Sequence, residues 1–154
     1  MAEREPEGQT PQMSDVLALF RRAIDTDDAT AMREGLDLLF SAAGGLSASD
    51  EFDLRHEDYV MEMPQSRERI TGRDRMRAMQ ESFPGPPPSI RINRVTGTHR
   101  SWLIEASNDY GEGDVWHVVV AMEFAPDGRM LRDTRYYAKD FDPPGWRAAF
   151  TDPR

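Results

Sequence analysis

The stretch "GRMLRDTRYYAKD", residues 128–140, combines an acid, a base and a phenol at a spacing that could bring them together. On a β-strand, alternate side chains point to the same face, so Asp133, Arg135 and Tyr137 would share one face. Asp133 and Arg135 would then be close enough to form an ion pair, which favours the ionised carboxylate and makes it a poor proton donor. Arg135 would be better suited to bind an anionic or carbonyl oxygen, with Tyr137 donating a hydrogen bond to the same group.

The same residues also fit a structural interpretation that involves no chemistry. Asp133 and Arg135 would then be a buried ion pair that orients the last strand and the helices. The sequence leaves both roles open, because the answer depends on which face of the strand points to the interior.

The composition limits the other kinds of site. A chain of 154 residues is long enough for one domain with its own core. It has no cysteine, which excludes disulfides, zinc–thiolate sites and cysteine nucleophiles. Its histidines, His56, His99 and His117, are too scattered to predict a metal site. We therefore expect neither a metal nor an organic cofactor.

The charge and the lack of long apolar runs bear on partners. The formal net charge of −9 would repel a phosphate backbone, so we expect no nucleic-acid partner. One basic cluster keeps nucleic acid as a third alternative: Arg67, Arg69, Arg73, Arg75 and Arg77. No stretch approaches the roughly 18 apolar residues of a membrane span, and the charged N-terminus does not resemble a secretory signal. We expect a cytoplasmic protein without a membrane partner.

Apolar periodicity predicts three helices. Residues 1–13 are polar and aperiodic and are expected to be a disordered tail, which leaves 14–154 as a single domain. One helix is predicted to begin at an N-cap, Ser14, and "DTDD" at 25–28 to separate it from a second that ends at Gly44 and Gly45. Thr71 is predicted to cap the third.

Alternation and turn residues predict the strands. They are expected at 59–64, about 89–97, 101–110 and 114–125, and in a last strand after the turn "PDG", in which Gly128 has a positive φ. Helices followed by a meander of strands predict an α+β fold, in which an antiparallel sheet curls around the helices. The tail aromatics, Phe141, Trp146 and Phe150, are expected to fold back over the domain.

Two segments carry a resemblance to a known family. "HEDYVMEMPQS…ITGRDRMRAM" (56–79) and "MEFAPDGRMLRDTRYYAKDF" (122–141) resemble the nuclear-transport-factor-2-like superfamily, especially its SnoaL-like branch. The resemblance implies a curved antiparallel sheet wrapped around about three N-terminal helices. It also implies a cone shape with a central cavity, and a homodimer.

Alignment on Gly128 implies which side chains line that cavity. Asp133, Arg135 and Tyr137 fall on inward positions and form the expected catalytic set. The expected ligand-binding set consists of Tyr59, Met63, Trp102, Asn108, Tyr110, Trp116 and Val120. The implied site is therefore apolar and aromatic with a small polar group, as small-molecule sites usually are.

The catalytic residues of three enzyme types within this superfamily are not reproduced. The two aspartates of ketosteroid isomerases fall on Met63 and Val120. The Asp–Arg–Asp set of limonene-epoxide hydrolases falls on Ala106, Asn108 and Arg135. The single acid of SnoaL-like cyclases is matched most nearly by Asp133, which is displaced by two residues.

The resemblance implies a binding protein for a small, largely apolar molecule with an anionic or carbonyl group. One alternative is a cofactor-independent cyclase, isomerase or dehydratase that uses general acid/base chemistry. The other is a non-catalytic ligand-binding or dimerisation module, in which the ion pair of Asp133 and Arg135 is structural.

Overall fold

The computed structural model describes residues 12–40 and 48–154. The predicted tail at 1–13 lies outside this part of the chain except for its last two residues, and so do Gly44 and Gly45. Met13 is already helical, and the first helix has Gln12, not Ser14, at its N-cap position. In the described part of the chain, no helix combines the length and apolar character needed to cross a membrane.

Within residues 12–40 and 48–154, four α-helices precede or interrupt the strands. They are α1 (Met13–Thr26), α2 (Ala29–Leu39), α3 (Ala48–Leu54) and α4 (Arg73–Glu81). The predicted break at "DTDD" is confirmed: Asp27 ends α1 in the left-handed conformation, and the Asp28 side chain caps α2 by accepting from the Ala31 amide at 3.0 Å. Each of the first two helices buries one apolar face. This face includes Val16 and Phe20 in α1 and Met32 and Leu36 in α2.

Six strands form one sheet. They are β1 (Arg55–Met63), β2 (Glu68–Thr71), β3 (Ser89–Thr98), β4 (Ser101–Asp109), β5 (Val115–Phe124) and β6 (Met130–Ala138), in the spatial order β2-β1-β6-β5-β4-β3. Five predicted strands are present, and the α+β fold class with a curved sheet is confirmed.

Two details of the predicted sheet are wrong. Strand β1 runs parallel to β6, whereas the other neighbours are antiparallel. A chain of hairpins predicts only antiparallel pairs, but β1 joins the sheet beside a strand about 70 residues later and needs no hairpin. Strand β2 was not predicted, and Thr71 belongs to it, paired with Val60, so that α4 begins after Gly72 instead.

The last hairpin is fixed by its turn. Gly128 has φ +91°, as predicted, and a Cβ there would lie 2.8 Å from Cγ of Arg21. The Arg21 side chain also donates to the Asp127 carbonyl at 2.6 Å, which holds the turn against α1. Beyond the turn, the register of the hairpin shifts between Glu123 and Phe124, and Val120 then pairs with Arg135.

The inner face of the sheet forms the core with the helices. Trp102, Ile104 and Ala106 on β4 are buried, as are Val118 and Met122 on β5, so the predicted inward face is confirmed for these strands. The Phe20 ring of α1 packs on Phe124, with centroids 5.1 Å apart.

The C-terminal segment departs from the prediction. Phe141, Trp146 and Phe150 are 76%, 75% and 83% exposed, and the last two lie in a short 3-10 helix, Gly145–Phe150. They do not fold back over the domain. After β6, the Lys139 ammonium lies over the Trp116 ring on the inner face of the sheet. The next residue, Asp140, contacts the His117 ring on the outer face, so the chain does not continue over the inner face.

Candidate functional site

Asp133, Arg135 and Tyr59 form a buried polar cluster in the middle of the sheet. Asp133 is 1% exposed. Arg135 donates to it through both Nε (2.7 Å to Oδ1) and Nη2 (3.2 Å to Oδ2), and the Tyr59 hydroxyl donates to Oδ2 as well. The parallel pairing of β1 with β6, which places Met61 opposite Asp133, brings Tyr59 within reach. The ion pair expected from the sequence is therefore present, with a third member.

The environment of the cluster fixes two protonation states. Burial, followed by the adjacent Asp133 carboxylate, raises the pKa of Tyr59 far above its ordinary value, so the phenol stays neutral. Burial alone disfavours a charged Arg135, but the contacts with Asp133 and Tyr59 raise its pKa well above its ordinary value. The guanidinium therefore remains a cation with fixed donors.

A cavity of about 580 Å³ lies at the end of the sheet where β1 and β6 end and β5 begins. Its lining residues are Met63, Gln65, Ser66, Glu68, Phe83, Tyr110, Asp114, Trp116, Arg135 and Tyr137. Five of them belong to the sets expected from the sequence. Arg135 belongs to both the buried cluster and the cavity wall, because its side chain is 22% exposed and contacts Asp133.

The remaining expected residues lie in the core or behind the cavity wall, not along it. Asp133 and Tyr59 bind each other. The Trp102 indole donates to the His99 carbonyl at 2.9 Å. The Asn108 amide lies 3.5 Å from the Tyr110 hydroxyl, and Val120 packs against the core. An inward position on this sheet is therefore not sufficient to reach the cavity, because much of the inner face packs against the helices.

Sequence reasoning missed the cavity residues that lie outside the predicted strands. Gln65 follows β1 and accepts from the Tyr137 amide at 2.5 Å, and Phe83 stacks on Tyr110 with centroids 6.2 Å apart. Glu68 faces the cavity because it pairs directly with Met63 across the β1–β2 hairpin. Phe83 did carry a signal, because it follows Met76 and Met79 at helical spacing, whereas Gln65 and Glu68 lie in a stretch without periodicity.

The charged residues that line the cavity, Glu68, Asp114 and Arg135, differ in the side chains that they contact. Asp114 accepts from Lys139 at 2.6 Å and from the Trp116 indole at 3.0 Å, and the Lys139 contact lowers the pKa of Asp114 below its ordinary value. Lys139 also lies 4.8 Å from the Trp116 ring centroid. Within the described ranges, the Glu68 side chain has no hydrogen-bonding or ionic partner. Arg135 is the one arginine on this wall.

The basic cluster is partly absorbed by local contacts. Arg73 and Arg77 stack over the Phe52 ring at 4.2 and 4.3 Å, and Arg69 pairs with Glu62 at 3.5 Å. Among residues 12–40 and 48–154, no group of three His, Asp or Glu side chains is arranged to hold a metal ion.

A second buried polar group was also missed by sequence reasoning. Arg55 is 4% exposed, lies 3.5 Å from Glu51, donates to Gln80 at 3.1 Å and stacks over the Tyr59 ring at 5.2 Å. It therefore packs on the Tyr59 ring and connects α3 and α4 to β1.

The arrangement favours binding of an oxygen anion or carbonyl over proton transfer by Asp133. The donors of Arg135 that Asp133 leaves unused belong to a side chain on the cavity wall, beside Met63, Trp116 and Tyr137. Asp133 itself is enclosed and already accepts three hydrogen bonds. A proton carrier that touches a ligand would have to be another cavity residue, such as Tyr137 or Glu68.

Comparisons with known proteins agree on the fold. No protein-family model matches the sequence, and a search of curated proteins finds no match. An NTF-2 like protein of unknown function from Burkholderia xenovorans LB400 is 31% identical, with a TM-score of 0.67 over 79% of this chain and 94% of that one. A protein from Kribbella flavida DSM 17836, described as a candidate ketosteroid isomerase, is 25% identical, with a TM-score of 0.64 over 92% and 90%. An LEH-like epoxide hydrolase from M. tuberculosis is 16% identical, with a TM-score of 0.54 over 83% of this chain and 86% of that one, and supports the fold alone.

Proposed function

Because the chain belongs to the nuclear-transport-factor-2-like family, we propose that it binds a small, largely apolar molecule through an anionic or carbonyl oxygen held by Arg135. The ligand would occupy the cavity at the end of β1 and β6. Tyr137, on the same wall, would donate a second hydrogen bond. This assigns Arg135 to ligand binding and Asp133 to the positioning of Arg135.

The observation that carries the proposal is the divided environment of Arg135. One edge of the guanidinium is held by Asp133 through two hydrogen bonds, which fix its plane before any ligand arrives. The side chain nevertheless lines the cavity. A cation with preset donors in a partly dry site binds an oxygen anion more strongly than a mobile surface arginine does.

The rest of the wall supports an apolar ligand body. Met63, Phe83, Tyr110 and Trp116 supply apolar and aromatic surface. The volume of about 580 Å³ lies within the range of small-molecule sites. Few polar groups in such a wall fix orientation, and Arg135 is the strongest candidate for that role.

The test uses two fluorescent probes that share their ring system. Anilinonaphthalene sulfonate carries an anion, and N-phenyl-naphthylamine carries none. Arg135→Lys keeps a positive charge beside Asp133 but loses the planar fork. We expect about tenfold weaker binding of the sulfonate, the loss of one charge-assisted hydrogen bond, with unchanged binding of the neutral probe.

The matched control is Arg132→Lys, because Arg132 is exposed on the opposite face of the same strand. It should leave the Kd of both probes unchanged. Failure of both probes to bind the native protein would contradict the proposal. An equal loss for both probes in Arg135→Lys would also contradict it, since that result indicates a change in the cavity as a whole.

A second candidate function is cofactor-independent acid/base catalysis in the same cavity. It is favoured by the presence of Tyr137 and Glu68 on the wall, with Glu68 free of partners among the described residues. The assay is isomerisation of a β,γ-unsaturated cyclohexenone to its conjugated form. Turnover that is lost in Glu68→Gln or Tyr137→Phe, while the sulfonate probe still binds, would support catalysis. Binding without turnover in the native protein would favour the non-catalytic module.

A further inference from the structure

Glu68 differs from the other charged residues that line the cavity, because no side chain in the described ranges balances its charge. Asp114 pairs with Lys139 at 2.6 Å, and Arg135 pairs with Asp133 at 2.7 Å. The Glu68 carboxylate has neither a cation nor a hydrogen-bond donor of the described chain as a partner. The cavity wall therefore carries one negative charge that is not compensated.

This charge bears on which ligand the cavity accepts. A ligand anion bound at Arg135 would meet a guanidinium whose charge Asp133 already compensates. It would then add a second negative charge to the cavity that Glu68 lines, where like charges repel each other more strongly than in bulk water. A ligand that also carries a cation avoids this repulsion, because its cation would pair with Glu68.

Glu68 and Arg135 lie on opposite sides of β1 and line the same cavity. Glu68 on β2 pairs with Met63 of β1. On the other side of β1, Glu62 pairs with Thr134 of β6, so Arg135 lies level with Met63 one position further along. Two strand spacings, about 10 Å, therefore separate the backbones at Glu68 and Arg135, and the side chains span part of that gap. One small molecule is long enough to contact both groups.

Aromatic rings on the cavity wall provide a surface for the cation. They are Phe83, Tyr110, Trp116 and Tyr137. The face of an aromatic ring attracts cations and is a common binding surface for quaternary ammonium groups. The chain itself makes such a contact here, because the Lys139 ammonium lies 4.8 Å from the Trp116 ring centroid while it pairs with Asp114. One ring and one carboxylate therefore already hold an ammonium at this cavity, and Glu68 offers a second carboxylate.

We propose that the ligand is zwitterionic, with a quaternary ammonium group bound by Glu68 and an oxygen anion bound by Arg135. The inference rests on the proposed function, since Arg135 must hold the oxygen. It narrows the ligand to small molecules in which an apolar body, such as a ring, joins a carboxylate to the ammonium. Methyl groups on the nitrogen suit this wall, because they would contact Phe83, Tyr110 and Met63 without introducing N–H donors that need partners.

Two benzoates of the same shape test the proposal by isothermal titration calorimetry. Both para-trimethylammoniobenzoate and para-tert-butylbenzoate carry the carboxylate for Arg135, and they differ only in a charged nitrogen or a neutral carbon at the other end. The native protein should bind the ammonium compound about tenfold more tightly. A cavity that is merely apolar would prefer the tert-butyl compound, because that group loses less hydration on binding.

Glu68→Gln separates the carboxylate from the rest of the wall. Glu68 is exposed on the edge strand β2, so the substitution should leave the fold intact. The preference for the ammonium compound should fall from about tenfold to about twofold, the part that the rings alone supply. The sulfonate probe, which is only an anion, should change in the opposite direction and bind about two- to fivefold more tightly, because the like charge is gone.

The matched control is Glu123→Gln, which removes the same charge from the exposed, outer face of β5 and should change none of these affinities. A native protein that binds the tert-butyl compound as tightly as the ammonium compound would overturn the inference, as would one that binds neither benzoate. So would a preference that survives Glu68→Gln, an equal fall in Glu123→Gln, or sulfonate binding that Glu68→Gln leaves unchanged. Arg135→Lys distinguishes this failure from that of the proposed function: if it weakens both benzoates while the native protein shows no preference, the oxygen site stands without the ammonium site.

Discussion

Tyr59 and Arg135 donate to the same buried carboxylate, that of Asp133, although they lie on different strands and 76 positions apart in sequence. Tyr59 approaches from β1 and Arg135 from β6, and these strands are parallel neighbours. The carboxylate thereby accepts three hydrogen bonds in the core, and the Arg135 side chain also lines the cavity. In the proposed function, Arg135 contacts the ligand, whereas Asp133 and Tyr59 hold Arg135 in place from the core.

Tyr59→Phe should lower stability without changing the cavity wall. It removes one donor from a carboxylate that is 1% exposed, and a lost hydrogen bond to a buried charge costs about 1–3 kcal/mol. The free energy of unfolding from urea titration measures this. Tyr136→Phe is the matched control, because Tyr136 is on the outer face and should change stability by less than about 0.5 kcal/mol. Equal effects of the two substitutions would contradict the importance of the buried bond.

Asp133 and Arg135 should show strong energetic coupling. Asp133→Asn alone leaves a cation with a weakened partner and is expected to cost about 3–5 kcal/mol. The double variant with Arg135→Gln should cost less than the sum of the two single variants, by about 1–3 kcal/mol. The exposed pair Arg94 and Glu105, treated in the same way, should give about 0.2–1 kcal/mol. Additive effects at Asp133 and Arg135 would show that the pair does not act as a unit.

Stability should fall at alkaline pH because of Tyr59. Its pKa is raised in the folded state from an ordinary value of 10.0, so the neutral phenol is favoured by folding. This contribution is fully present below pH 10 and is lost as the pH rises towards the folded pKa. The difference in unfolding free energy between the native protein and Tyr59→Phe should therefore shrink above about pH 10. A constant difference through this range would contradict the raised pKa.

Gly128→Ala should destabilise the protein. A side chain at φ +91° is strained, and the new Cβ would lie 2.8 Å from Arg21, so we expect a loss of about 1–2 kcal/mol. Thermal unfolding followed by circular dichroism measures it. Gly145→Ala is the control, because no atom lies within contact of a Cβ there and its φ is not positive. A Gly128→Ala variant that unfolds at the native temperature would mean that the turn adjusts freely.

The elements predicted well are those in which a local signal sets the geometry. The turn at Gly128 and the alternation of the last hairpin place Asp133, Arg135 and Tyr137 on one face, which the structure bears out. The helix break before Asp28 has an equally local cause, a side chain that caps the next helix. Such features are encoded within a few residues and need no knowledge of the remaining chain.

The features that were not predicted depend on contacts between distant parts of the chain. Tyr59 was expected on the cavity wall, but the parallel pairing of β1 with β6 turns it into a partner of Asp133. Gln65 reaches the cavity from a segment without periodicity, and Phe83 reaches it from just beyond the end of α4. The proposed roles of the cavity residues remain predictions, because a family fold does not specify chemistry.

The position of β1 between β2 and β6 in the sheet has a consequence for how the polypeptide folds. In the described part of the chain, β1 is the first strand and β6 the last, so one side of β1 stays unpaired until the other strands of the sheet have been synthesised. Closing so long a segment is entropically slow and leaves an open strand edge during translation. The bond from Tyr59 to Asp133, across 74 positions, should therefore form late on the folding pathway, and nascent chains that stop before β6 should be the most prone to aggregate.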